Sequence, residues 1–150
     1  MDKLFLFIAT GAGVGYLPKA PGTWGSLAGV LLWLGLSRLD VGTYFAAVAV
    51  LFVLGTIAAG AAEKILDQGD PGLAVIDEIV GQLITLAVAP AQPLTILAGF
   101  ALFRLFDIWK PFPVGWLDRH IHGGLGIMLD DAAAGCMACA ALQAGIWLIC

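Results

Sequence analysis

Residues 79–103 read IVGQLITLAVAPAQPLTILAGFALF, 25 residues without a charge, interrupted at Pro90 and Pro93. Two readings are open. One long kinked span would put Glu78 and Arg104 on opposite faces of a bilayer. A turn at Pro90-Ala91-Gln92-Pro93 would make two helices whose polar ends lie on the same side. Proline removes a backbone donor and breaks a helix interior, so a paired break favours the turn. The first helix is then expected to begin at Asp70-Pro71, a capping residue followed by proline at the first helical position. The second is expected from Pro93 to about Lys110.

Charge tests the choice. With the hairpin, the stretches before Ser26, from Glu63 to Glu78 and from Arg104 to Asp131 share one side. They hold Lys3, Lys19, Lys64, Arg104, Lys110 and Arg119, six of the seven basic residues, and only Arg38 lies opposite. Cytoplasmic loops carry excess Lys and Arg, so that side is expected to face the cytoplasm. Ten of the eleven acidic residues fall on it too, Asp40 being the exception. Acids count little in the orientation rule, so their clustering is separate information.

The remaining uncharged runs complete the architecture. Val41 to Ala62 has 22 residues and Ala132 to Cys150 has 19, both long enough to span. Ala20 to Ser37 opens as a loop and continues as helix from about Ser26. Met1-Asp2-Lys3 and the run Leu4 to Ala9 make a poor signal peptide and a better turn of membrane-associated helix. The expectation is a single all-α domain over residues 1–150. It is a small integral membrane bundle of about five short embedded helices with a cytoplasm-facing polar site.

Composition agrees. Of the 150 residues, 61% are hydrophobic and 12% charged, with mean hydropathy +0.97. Soluble domains carry about 25% charged residues. A net charge of −4 and the lack of a basic stripe argue against a nucleic-acid partner. Cys136 and Cys139 form a C-x-x-C inside an apolar helix, read as small packing residues rather than a redox pair.

Four polar stretches could carry chemistry. The first, GAGVGYLPKAPGTWGSLAG, combines glycines, Lys19, Thr23 and a helix start, where free N–H groups suit an anion. It is no dinucleotide or P-loop motif, since no βαβ unit surrounds it and Gly-Lys-Ser/Thr is missing. A simple loop with Thr23 or Ser26 as helix cap is the plainer reading. The second is DPGLAVIDEIVGQ. Asp77 and Glu78 are flanked by apolar residues, so a solvated helix start explains them less well than a ligand or base role. Gly81, one turn on, is read as clearing space beside Asp77. The third is FRLFDIWKPFPVGWLD. Arg104 and Lys110 fit snorkelling bases, and Phe103, Phe106, Trp109, Phe112 and Trp116 fit an interfacial belt. Asp107 is three residues from each base and could pair with either. The fourth, HIHGGLGIMLDDAAAG, places Asp130 and Asp131 at the expected start of the last helix, where capping would justify one acid rather than two. His120 and His122 lack the partners of a zinc site.

Taken in series, these motifs resemble the phosphatidylglycerophosphatase A family. The matching blocks are Pro-Lys-Ala-Pro-Gly-Thr-Trp-Gly at 18–25, Asp-Glu-x-x-Gly at 77–81, Phe-Arg-x-Phe-Asp-x-x-Lys-Pro at 103–111 and Gly-Gly-x-Gly-x-Met-x-Asp-Asp-x-x-Ala-Gly at 123–135. The resemblance implies a Mg²⁺-dependent lipid phosphatase of the bacterial inner membrane, active site toward the cytoplasm. It implies hydrolysis of phosphatidylglycerophosphate to phosphatidylglycerol and phosphate.

On that footing Asp77, Glu78, Asp130 and Asp131 are expected to bind one or two Mg²⁺, with Asp107 as further ligand or base. Asp77, Glu78, Asp107 and Asp131 form the expected catalytic set. Lys19, Gly22, Thr23, Arg104 and Lys110 are expected at the phosphate. Activated water and an aspartyl nucleophile both remain open. A divalent-cation transporter using the same acids is the alternative. It would want acids at mid-bilayer and on both sides.

Overall fold

The structure is a computed structural model that describes residues 1–149; Cys150 lies outside them. Among the described residues there are seven α-helices and no strand. They are α1 (Asp2–Ala9), α2 (Pro21–Leu36), α3 (Val41–Leu66), α4 (Ile76–Thr85), α5 (Pro93–Trp109), α6 (Val114–His120) and α7 (Gly123–Ile149), with a 3₁₀ turn at Val14–Tyr16. Cys136 and Cys139 are both free thiols.

The proline pair does break the chain. α4 ends at Thr85 and α5 starts at Pro93, with that proline in its first turn. The N-terminal end of α4 and the C-terminal end of α5 reach the same cavity, as a hairpin requires. Two helices, α3 and α7, are long and apolar enough to cross a membrane. α2 and α5, at 16 and 17 residues, would reach about 25 Å at 1.5 Å per residue. α4 has only 10 residues and buries eight of them, so it is the core of the bundle rather than a span.

Three helix starts differ from the sequence expectation. α4 begins at Ile76, not at Asp70-Pro71. Asp70 adopts φ 54°, Ala74 N donates to Pro71 O, and Val75 N is pinned to Ala9 O at 2.8 Å, so α1 holds this stretch in turns. α2 begins at Pro21, which puts Thr23 and Ser26 inside the helix. The Ser26 hydroxyl donates back to Gly22 O at 2.9 Å instead of capping. α7 begins at Gly123, so Asp130 and Asp131 sit two turns inside it and cap nothing.

Small residues let the helices close around α4. A Cβ on Gly29 would lie 2.8 Å from Gln82 Cβ, and one on Gly135 would lie 2.5 Å from Gly81 O. Such close backbone approach is how apolar helices pack without a solvent-driven core. Gly81 therefore does not clear space beside Asp77. Its own Cβ position is taken by the Phe103 ring at 2.5 Å and Asp131 O at 2.9 Å. Phe103 is fully buried there and leaves the aromatic belt, whereas Trp109, Phe112 and Trp116 remain exposed.

A helix this short and this buried leaves C-terminal carbonyls without helical partners. Side chains from other helices satisfy them. Trp33 Nε1 donates to Leu86 O at 2.8 Å, and Tyr44 OH donates to Leu83 O at 2.7 Å. α4 is thus anchored at its apolar end by α2 and α3, which fixes the depth at which its acidic end emerges.

Candidate active site

The acidic end of α4 opens into a cavity of about 520 Å³. Asp77 and Glu78 lie in the first turn of α4, and Asp131 lies on the buried face of α7. The close crossing at Gly81 and Gly135 brings the two helices together one turn beyond. As a result one carboxylate oxygen from each of Asp77, Glu78 and Asp131 falls within 4.8 Å of the others. Asp77 is 8% exposed and Asp131 3%.

The three acids have unused bonding capacity. Asp77 Oδ1, Glu78 Oε2 and Asp131 Oδ2 are buried without a hydrogen-bond partner. Buried carboxylates left unpaired cost several kcal/mol, so such a group calls for a cation. The donor set is all oxygen and all carboxylate, which suits a hard divalent ion and disfavours zinc. The residues present therefore fit a Mg²⁺-type ion.

Asp107 and Asp130 line the same cavity but are already engaged. Arg104 Nη1 donates to Asp107 Oδ2 one turn along α5. Lys110 does not pair with Asp107. It caps α5 at φ 48° and its ammonium swings to Asp118 Oδ1 at 2.7 Å and Asp130 Oδ2 at 2.9 Å. Burial alone would lower the Lys110 pKa, but the bonds to Asp118 and Asp130 outweigh it and hold the ammonium above the usual lysine range. Asp130 Oδ1 also accepts from Asp131 N at 3.0 Å, so Lys110 and Asp130 together brace the turn that carries Asp131.

The cationic side of the cavity is Arg104, 17% exposed, whose Nε is buried and unpartnered. Opposite it stands the start of α2. A Cβ on Gly22 would lie 2.5 Å from Glu78 Oε1 and 2.9 Å from Arg104 Nη1. Gly22 therefore brings the helix N-terminus against both groups, and its N–H precedes the first helical acceptor. The approach is fixed by the Trp24 indole, which donates to Pro18 O and Lys19 O at 3.3 and 3.1 Å. Lys19 and Thr23 do not line the cavity, and Lys19 is exposed.

Sequence reasoning gave no role to three further cavity residues: Glu63 on α3, Asp118 on α6 and His122 before α7. Asp118 is eight residues from Lys110, a spacing no helix rule connects. Only the fold of α6 back over the cavity brings them together.

The chain matches known proteins over nearly its full length. The family model described as phosphatidylglycerophosphatase A matches residues 7–146. The Escherichia coli (strain K12) protein named phosphatidylglycerophosphatase A is 38% identical over 90% of this chain and 79% of its own length. The protein of that name from Haemophilus influenzae is 44% identical over 85% of this chain and 79% of its own length. A Bacteroides thetaiotaomicron protein, provisionally named a phosphatidylinositol-3-phosphatase, is 38% identical over 96% of this chain and 94% of its own length. No solved structure matches significantly. The transporter alternative finds no support in these matches, nor in acids gathered around a single cavity. A family match spanning the four acidic and glycine-rich blocks, with relatives covered over most of their length, shows that the chain belongs to the phosphatidylglycerophosphatase A family.

Proposed function

We propose that this chain hydrolyses the terminal phosphate monoester of phosphatidylglycerophosphate in the bacterial inner membrane, with the cavity toward the cytoplasm and Mg²⁺ as cofactor. One observation carries the reading: three buried, unpartnered carboxylate oxygens converge beside Arg104 and a helix N-terminus in one cavity. The names of the E. coli and H. influenzae relatives supply the substrate. Charge supports a metal as well. The lining carries eight carboxylates against Arg104 and Lys110, and a phosphate dianion would be repelled without accompanying cations.

Asp77, Glu78 and Asp131 would hold the ion, with Asp130 and Asp107 within the same cavity as further ligands. When bound, Mg²⁺ would neutralise phosphoryl charge and acidify water. Arg104 would bind the phosphoryl oxygens through its free Nε side and offset charge in the transition state. The Gly22 N–H and the positive end of the α2 dipole would orient the same group. Asp107, held in place by Arg104, is the candidate base for the attacking water; an aspartyl nucleophile among Asp77 and Asp131 is the other route. Lys110 would act chiefly by fixing Asp130. Exposed Trp109, Phe112 and Trp116 beside the cavity suit the headgroup layer, where the lipid substrate lies.

The Bacteroides relative favours a second substrate, a phosphoinositide monoester. Phosphate release by the purified protein in detergent, from phosphatidylglycerophosphate and from phosphatidylinositol 3-phosphate at equal surface fraction, separates the two. Preference for phosphatidylglycerophosphate supports the main reading. Preference for the phosphoinositide would replace it.

A further inference from the structure

The phosphatase reading leaves one half of the reaction without a residue. A monoester of a primary alcohol breaks to an alkoxide, a poor leaving group that needs a proton. Attacking and leaving oxygens stand in line across phosphorus. The floor of the cavity is the buried carboxylate group, so attack comes from there. The ester oxygen then points to the mouth, where the diacyl anchor must stay with the bilayer. The proton donor has to line the mouth.

His122 is placed there. It lines the cavity, is exposed, and directly precedes Gly123, whose Cβ position is 3.8 Å from Glu63 Oε2. Besides Asp77, Glu78 and Asp131, the charged groups lining the cavity are Glu63 from α3, Asp70 from the α3–α4 connection, Arg104 and Asp107 from α5, Lys110 after α5, Asp118 from α6 and the buried Asp130 from α7. Lys110 donates to both Asp118 and Asp130, and Arg104 donates to Asp107. Glu63 and Asp70 are carboxylates, which in their ionised form only accept hydrogen bonds. Imidazole is the side chain whose ordinary range lets it carry a proton near neutral pH, and it can both release and regain one. His120 is differently employed: its Nδ1 lies 2.8 Å from Trp116 O, its ring stacks on Trp116, and it does not line the cavity.

We propose that His122 is the general acid of the proposed phosphatase reaction, donating its imidazolium proton to the leaving ester oxygen. The attacking water forms the new P–O bond and passes its proton to a floor carboxylate. The ester P–O bond breaks, its electron pair stays on the alcohol oxygen, and the imidazolium proton neutralises that oxygen. Neutral His122 regains a proton from solvent, which its exposure allows.

The test compares two substrates on one anchor: phosphatidylglycerophosphate, and a diacyl lipid whose phosphate is esterified to a phenol. The phenolate leaves without a proton. Protein carrying His122→Gln should lose about 10²-fold or more in kcat on the alkyl ester, the usual range for general acid catalysis. On the phenyl ester it should lose little. The alkaline fall in wild-type kcat should also vanish in the variant, a readout that stands even if the phenyl ester is not turned over. His120→Gln should match wild type. Equal losses on both esters, or an alkaline limb unchanged in His122→Gln, would overturn the proposal. Wild-type protein inactive on every phosphate lipid would instead overturn the phosphatase reading beneath it.

Discussion

Replacing Gly22 by alanine should damage turnover and spare the fold. The new Cβ would stand 2.5 Å from Glu78 Oε1 and 2.9 and 3.1 Å from two guanidinium nitrogens of Arg104. To regain ordinary contact at 3.4 Å, Glu78 must retreat about 0.9 Å and Arg104 about 0.5 Å. Both obstacles are ends of flexible side chains, so the backbone can stay. Alanine also favours the helix over glycine by about 1 kcal/mol. A shift of about 1 Å at a reacting centre, however, costs up to about 10²-fold in rate. The expected result is a 10- to 100-fold lower kcat, equivalent to about 1.4 to 2.7 kcal/mol of barrier, with an unchanged melting temperature. Gly124→Ala is the contrast. Its Cβ would lie 2.0 Å from Thr56 O and 2.5 Å from Gly60 N, backbone atoms that cannot move without parting α3 from α7. That variant should lose folded protein. Phosphate release and thermal unfolding in detergent, run on both variants, measure the two effects. Wild-type turnover in Gly22→Ala, or a melting loss as large as that of Gly124→Ala, would refute the reasoning.

Three further outcomes are expected. Tyr44→Phe leaves Leu83 O without its donor inside the bundle and should cost about 1 to 3 kcal/mol of stability, seen as a lower melting temperature with normal turnover per folded molecule. Lys110→Met leaves Asp118 and Asp130 unpaired; the loss at exposed Asp118 should be under about 1 kcal/mol, but stranding buried Asp130 should bring the total to several kcal/mol, and kcat should fall as Asp130 ceases to brace Asp131. Arg104→Lys keeps the charge but loses the planar fork, so the Michaelis constant for the phosphate lipid should rise about 10-fold or more in steady-state assays.

The parts of the site legible in sequence were those carried by local pattern. Pro90 and Pro93 announced the hairpin because proline acts on its own backbone. Asp77 and Glu78 stood out because carboxylates flanked by apolar residues need a partner, and Asp130 and Asp131 because a helix start justifies one acid rather than two. What stayed hidden came from tertiary contact. Asp70-Pro71 has the signature of a helix start, yet Val75 is bonded to Ala9 and the helix waits until Ile76. The last helix was expected to start at Asp130, yet it begins at Gly123, and Gly124 and Gly126 stand where a Cβ would meet Thr56 O and Ile121 O. Packing overrides propensity there. Lys110 looked like a partner for Asp107 by helical spacing, but its left-handed cap turns it toward α6 and α7. His122 was weighed in the sequence only as a zinc ligand with His120, because its place in the cavity depends on how the α6–α7 connection meets α3.

The central claim is that Asp77, Glu78 and Asp131 hold the metal that the chemistry needs. The most direct measurement is inorganic phosphate release from phosphatidylglycerophosphate by purified protein in detergent, as a function of Mg²⁺, for wild type and Asp131→Asn. Release should rise with Mg²⁺, stop with chelator and return on adding the ion back. Asp131→Asn should lose nearly all turnover while eluting as wild type does. Release that persists in chelator, or an Asp131→Asn protein with near-normal activity, would contradict the account.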